Sequence, residues 1–258
     1  VTRRMLVMER REGFRFEDVG GMKAAGVDTA GVIRTGMIGG MEGAMIEGIF
    51  HGDLHGGNLF VLPDGRVALL DFGIVGRLSE PKRLALLSLL VHASSNDAAG
   101  QLAALRDLGA LPADADLRAI IDDLGLERPP VDPTAMSGDE LVGEIQRTMN
   151  ALLGYGARMP KELMLFVKNM VFLDGAITTL APDLDIFAEV ATISMHFAEK
   201  HGERIMSELG LAHDPNWEPD LTGFKASVGV GAEVEGMTHR ELLARREQIR
   251  RNLARTQR

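Results

Sequence analysis

The 258-residue chain has no cysteine, one tryptophan and one tyrosine. Without cysteine there is no disulfide framework and no thiolate metal site, which fits a reducing interior; a cytoplasmic setting is the matching expectation. No uninterrupted apolar run reaches the roughly 18 residues of a membrane span, and Val1-Thr2-Arg3-Arg4 leads into no hydrophobic signal region, so no transmembrane segment is expected. An excess of positive charge is missing too. The net charge is −9, and because Thr238–Arg258 carries seven Arg against two Glu, residues 1–237 stand at −14. An acidic body of this kind argues against nucleic-acid binding.

What is present is 45% hydrophobic content, enough to build a core for one large domain or two modest ones. The chain opens on Val and runs into Met5–Met8, which reads as a short buried strand, as though its beginning lay elsewhere. Ile33, Met37, Met41 and Met45 recur at helical spacing between Thr29 and Ile49. Gly36, Gly39, Gly40 and Gly43 within that segment read as sites of close helix packing rather than as a phosphate loop, because no strand precedes them in the required order.

Leu59–Leu62 and Arg66–Leu70 are apolar runs joined by Pro63-Asp64-Gly65, which predicts a hairpin: Pro presets φ and Gly accepts a positive one. Helical periods follow over Pro81–Ser94, Ala98–Leu108, Asp116–Leu124, Gly138–Leu153, Pro160–Leu180 and Asp185–Glu208. Capping-box patterns stand at Ser137/Glu140 and at Thr238/Glu241. Asp214–Pro219 is the expected boundary between a body of residues 1–213 and a linker with a basic C-terminal helix, 214–258. That helix, with Leu242, Ile249 and Leu253 on one face among its arginines, can lie peripherally on an anionic membrane or dock on its own acidic body; both stay open. His196 and His201 are five apart on a predicted helix with no third ligand near in sequence, so they read as ordinary histidines.

The chemistry-bearing stretch is "FHGDLHGGNLFVLPDGRVALLDFG", Phe50–Gly73. Asn58 precedes one strand of the predicted hairpin and Asp71 follows the other, so folding brings them together across thirteen positions. A hard cation such as Mg²⁺ takes oxygen ligands, and these two side chains are the natural pair to supply them. Asp53, one loop away, is placed to accept a hydroxyl proton or to orient an attacking group. His51-x-Asp53-x-x-x-x-Asn58 followed by Asp71-Phe72-Gly73 has the spacing of a protein-kinase catalytic loop and metal-binding loop.

Together with "LVMERREG" and "MPKELMLFVKNMVFLDGAITTLAPDLD", these motifs resemble the UbiB/ADCK family of atypical protein-kinase-like proteins over about Met5–Asp185. The resemblance implies a mainly α fold with a small β-hairpin (α+β), the C-terminal lobe of a protein-kinase-like molecule. It implies ATP and Mg²⁺ as cofactors, Asp53 as the catalytic-loop Asp, His51 as its brace, Asn58 and Asp71 as metal ligands, Phe72 and Gly73 as the rest of the metal-binding turn, and Glu9 in the hinge beside the adenine.

Three departures qualify the match, one being that many members of that family carry membrane-spanning segments at the C-terminus and none is expected here. Gly52 stands where a protein kinase has Arg, and the phosphate-binding Lys, its Glu partner and the family's other N-terminal signatures do not occur in these residues, so half of a nucleotide site is expected to be absent. Only Ile74–Leu78 separate Gly73 from Ser79, which leaves no room to cradle a peptide and favours a small-molecule or lipid substrate, or an ATPase. Two alternatives are carried. One is a small-molecule phosphotransferase of the aminoglycoside or choline kinase type, disfavoured because "GIVGRLSEPKRLALL" replaces that family's continuation; the other is a pseudokinase interaction module.

Overall fold

The structure is a computed structural model, and it describes residues 5, 7, 9–95, 97–126, 138–212 and 214–256. Leu6 and Met8 of the expected first strand, and Ser137 of one expected capping box, lie outside the described residues. Met5 and Val7 are 60% and 70% exposed, where the sequence reading expects burial; both precede the first strand and belong to none of the core clusters.

The fold begins with β1 (Phe14–Arg15), α1 (Val19–Ala24) and α2 (Thr29–Met45). Asp28 starts α2, its carboxylate accepting from the Ala30 amide at 3.1 Å, and so supplies one of the acceptors that a helix N-terminus lacks. Next come β2 (Ile49–His51), a 3₁₀ turn at Gly56–Asn58, β3 (Leu59–Val61), β4 (Val67–Leu69) and β5 (Val75–Arg77). The predicted hairpin is β3–β4, in the register Leu59↔Leu69, Phe60↔Ala68 and Val61↔Val67, with β1 antiparallel on its far side. β2 and β5 form a separate antiparallel pair.

The remaining elements are helices: α3 (Glu80–Ser94), α4 (Ala98–Asp107), α5 (Leu117–Leu124), α6 (Gly138–Gly154), α7 (Lys161–Leu180), α8 (Ile186–Leu209), α9 (Thr222–Ser227) and α10 (His239–Thr256). The molecule is thus mainly helical with small antiparallel sheets, the α+β class expected. Asp185 caps α8 by accepting from Phe187 and Ala188, and Gly210 closes it at φ 67°, a left-handed conformation that costs glycine little.

α2 and α7 cross at small residues. A Cβ at Gly36 would sit 3.1 Å from Leu173 Cδ2, and one at Gly40 3.3 Å from Met170 Cε, while at Gly43 it would meet the Ile49 carbonyl at 2.7 Å. Close packing is therefore the role of these three glycines; Gly39 faces nothing within 4 Å. One core cluster joins Met22, Ile33, Val61, Leu173 and Leu180, and a second joins Met45, Phe50, Leu86, Phe166 and Phe197. α7 contributes to both. Among the described residues it is also the one helix long and apolar enough to cross a membrane, which a search for unbroken apolar runs misses because Lys168, Asn169 and Asp174 interrupt it. Here Phe166, Leu173, Ala176, Ile177 and Leu180 of this helix are buried in the core.

α10 starts with the expected capping box. Thr238 N donates to Glu241 Oε2 at 2.7 Å, and Glu241 N returns to Thr238 Oγ1 at 3.3 Å. Leu242 is buried, Arg240 pairs with Asp183 at 3.0 Å and Arg246 with Asp174 at 2.8 Å.

Candidate active site

The loop between β2 and β3 carries Asp53 and Asn58, the loop after β4 carries Asp71, and His51 at the end of β2 ties the two loops together. Its Nδ1 accepts from the Asp53 amide at 3.2 Å, which assigns the hydrogen to Nε2; that atom lies 3.0 Å from the carbonyls of both Leu70 and Asp71. The ring also meets Phe72 edge-on at 5.1 Å. One buried imidazole thus holds the Asp53 loop against the strand exit that bears Asp71.

Asn58 is 7% exposed and donates from Nδ2 to the Asp53 carbonyl at 3.1 Å. With Nδ2 so engaged, its Oδ1 is the end left to face a cation. The Asn58 carbonyl accepts from the Leu70 amide at 2.9 Å, continuing the hairpin ladder up to Asp71. Asp71 has φ 51°, a rare backbone for a residue with a side chain. Its Oδ1 accepts from Gly73 N at 3.1 Å, the local hydrogen bond that lets aspartate hold such a turn. The carboxylate and Phe72 stay exposed.

Gly52 has a steric reason. It donates to the Ile74 carbonyl at 2.9 Å, and a Cβ there would lie 2.7 Å from Ile74 Cγ2. The β2–β5 pairing thus excludes a side chain at the position where a protein kinase carries Arg.

Two residues that the sequence reading passes over complete the loop, and both come from α7. Lys168 Nζ lies 2.5 Å from Asp53 Oδ1, and this hydrogen bond holds the Asp53 carboxyl below the usual carboxylate range. Asn169, 3% exposed, accepts from the Leu54 amide at 3.1 Å through Oδ1 and donates to the His51 carbonyl through Nδ2. The sequence carries only a partial signal: Asn169 is a polar residue that needs partners when buried in a largely apolar helix, but nothing in the sequence names those partners, and Lys168 is exposed.

Glu9 lies elsewhere. It is exposed and pairs with Arg11 at 2.8 Å, along a cleft of about 300 Å³ whose other wall is Leu62, Pro63, Asp64 and Arg66. That is the turn end of the β3–β4 hairpin, whereas His51, Asp53, Asn58 and Asp71 gather at its open end.

Residues 1–104, which include every motif position from Glu9 to Gly73, match the family model of the ABC1 atypical kinase-like domain. The chain is 33% identical over 186 residues to an uncharacterized protein of Mycobacterium tuberculosis, covering 70% of this chain and 37% of that one. It is 30% identical over 188 residues to the chloroplastic protein ACTIVITY OF BC1 COMPLEX KINASE 1 of Arabidopsis thaliana (73% and 27%). Against an uncharacterized chloroplastic aarF domain-containing protein kinase of the same plant it is 29% identical over 213 residues (73% and 39%). The chain thus spans about a third of the length of the curated relatives it matches. This is the atypical kinase-like class that the motifs resemble, and the chain's motif-bearing segment belongs to the ABC1 atypical kinase-like family.

Proposed function

We propose that this chain supplies the metal-binding and catalytic loops of a Mg²⁺–ATP-dependent phosphotransferase or ATPase. The observation that carries the proposal is the convergence of Asp53, Asn58 and Asp71 at the open end of one hairpin, braced by His51. Asn58 Oδ1 and the Asp71 carboxylate are hard oxygen donors that suit Mg²⁺, whose bound form would neutralise phosphate charge. Asp53, kept anionic by Lys168, acts by accepting a hydrogen bond from the attacking hydroxyl or water and orienting it; a carboxylate with a lowered pKa is a weak base but a firm acceptor. Lys168 adds a cation beside the reacting group.

The acceptor is proposed to be a small molecule or lipid of the isoprenoid quinone type, or water. Support comes from the segment after Gly73, which enters β5 at Val75 and reaches the Ser79 cap of α3 without any platform for a peptide. Contact with an anionic membrane through residues 238–258 is a secondary proposal, because Arg250 and Arg251 stay largely exposed while His239 and Leu242 of the same helix are buried.

The test is Mg·ATP titration of the 258-residue chain, and of any longer polypeptide containing it, against Asp71→Ala and Asn58→Ala. Both substitutions are expected to abolish Mg²⁺-dependent nucleotide binding while the circular dichroism stays native. Unchanged affinity in both would refute the assignment.

A further inference from the structure

His196 and His201 sit 140° apart around α8 at 100° per residue, and sequence alone gives them no shared ligand. The third group comes from α2, 154 residues earlier. Glu42 Oε1 lies 3.0 Å from His196 Nε2 and 2.8 Å from His201 Nε2. All three donor atoms fall within 4.8 Å of one another, and all three side chains are partly buried.

We propose that Glu42, His196 and His201 form a binding site for a divalent transition-metal ion of the zinc class, stapling α2 to α8. Two imidazole nitrogens and one carboxylate oxygen are a donor set zinc accepts, with a fourth position left to solvent. Bonds of about 2.0–2.2 Å in a tetrahedron hold donor atoms roughly 3.3 Å apart. The two Glu–His edges, at 3.0 and 2.8 Å, need only a few tenths of an ångström of opening, and the His196–His201 edge lies within 4.8 Å.

The hydrogen bonding around the oxygen points the same way. A carboxylate oxygen has about two acceptor sites, yet Glu42 Oε1 receives His196, His201 and also Lys200 Nζ at 2.9 Å. Three donors thus share one oxygen, more than it accommodates well, and an ion bound between Glu42 and the two imidazoles would relieve that competition. Although burial works to raise the Glu42 pKa, hydrogen bonds from Lys200, His196 and His201 outweigh it and hold it at about 2, so the carboxylate is anionic at neutral pH. Lys200 is the ion's competitor. Its side chain is 55% exposed, so it can swing into solvent when the ion binds.

The site is separate from the Asn58/Asp71 pair, and its test does not depend on phosphotransfer. The chelator-stripped 258-residue chain is titrated with Zn²⁺ by calorimetry and with Co²⁺ by visible absorption. One equivalent should bind with micromolar affinity or better, with ligand-field bands of a four-coordinate site. Glu42→Gln, which keeps the side-chain shape, and His201→Gln should each weaken binding at least about tenfold, since even outer residues of metal sites cost that much. Lys200→Gln should tighten binding several-fold, and Asp71→Ala should leave it unchanged. Absence of stoichiometric binding, or binding that survives both Glu42→Gln and His201→Gln, would show the cluster to be an ion-pair network only and overturn the proposal.

Discussion

Replacing Asn169 by Ala isolates the anchor of the catalytic loop. The side chain makes two hydrogen bonds, accepting from the Leu54 amide and donating to the His51 carbonyl, and Leu54 and His51 are each 6% exposed. Removing it leaves a buried donor and a buried acceptor, each costing about 1–3 kcal/mol, for a sum of about 2–6 kcal/mol. Water entering the vacated amide volume recovers part of this, so the expected loss is about 3 kcal/mol. Against a total of roughly 5–15 kcal/mol, that loss is large, and for a chain of this size it corresponds to a drop of about 6–12 °C in Tm. Asn169→Leu keeps the branched shape but is bulkier and makes neither hydrogen bond, so it should be no more stable than the Ala variant. Urea unfolding with an unchanged m-value reads the global loss, and hydrogen exchange at the Leu54 amide reads the local one. A loss below about 1 kcal/mol with Leu54 still protected, or full stability in the Leu variant, would refute the reasoning.

Two further outcomes follow from other contacts. Lys168→Met should raise the Asp53 pKa, because the hydrogen bond that lowers it is gone; a carboxyl-carbon NMR titration reads the shift, and an unchanged pKa would show that the ion pair is not formed in solution. His239 is fully buried with neither ring nitrogen hydrogen-bonded, facing Asp174 at 3.7 Å and Arg246 beyond it; burial pushes its pKa below the usual 6.5. The unfolded chain therefore takes up this proton before the folded one does, so stability falls as pH drops below about 6.5 and levels off below the depressed value. His239→Leu should flatten that slope and raise stability by about 1–2 kcal/mol in urea unfolding at neutral pH, and a loss of stability would contradict it.

The long elements were legible because their signals are local. Asp28, Asp97, Asp116 and Asp185 each cap a helix whose apolar period begins immediately after, and Pro63-Asp64-Gly65 marks the hairpin turn. β1, β2 and β5 have two or three residues each, too few for a period, and their partners lie far along the chain. α9 was hidden in a glycine-rich stretch. At the candidate site, the motif gave Asp53, Asn58 and Asp71 because all three lie within one short segment. Lys168, Asn169 and Glu42 were hidden because their meaning depends on which helix packs where: no spacing rule connects residue 53 with residue 168, or 42 with 196.

The position of Asn169 has a practical consequence for anyone dividing this molecule by motif. Residues 1–104 contain the whole match to the family model and every motif position from Glu9 to Gly73, so a fragment cut there looks complete on paper. It would nonetheless strip the Leu54 amide and the His51 carbonyl of their partner, take Lys168 away from Asp53, and open both core clusters by removing α7. The smallest piece that can hold the loop in shape must therefore reach past residue 169, and for the packing of α7 to its end at Leu180. In this fold the recognisable segment and the cooperative unit have different boundaries.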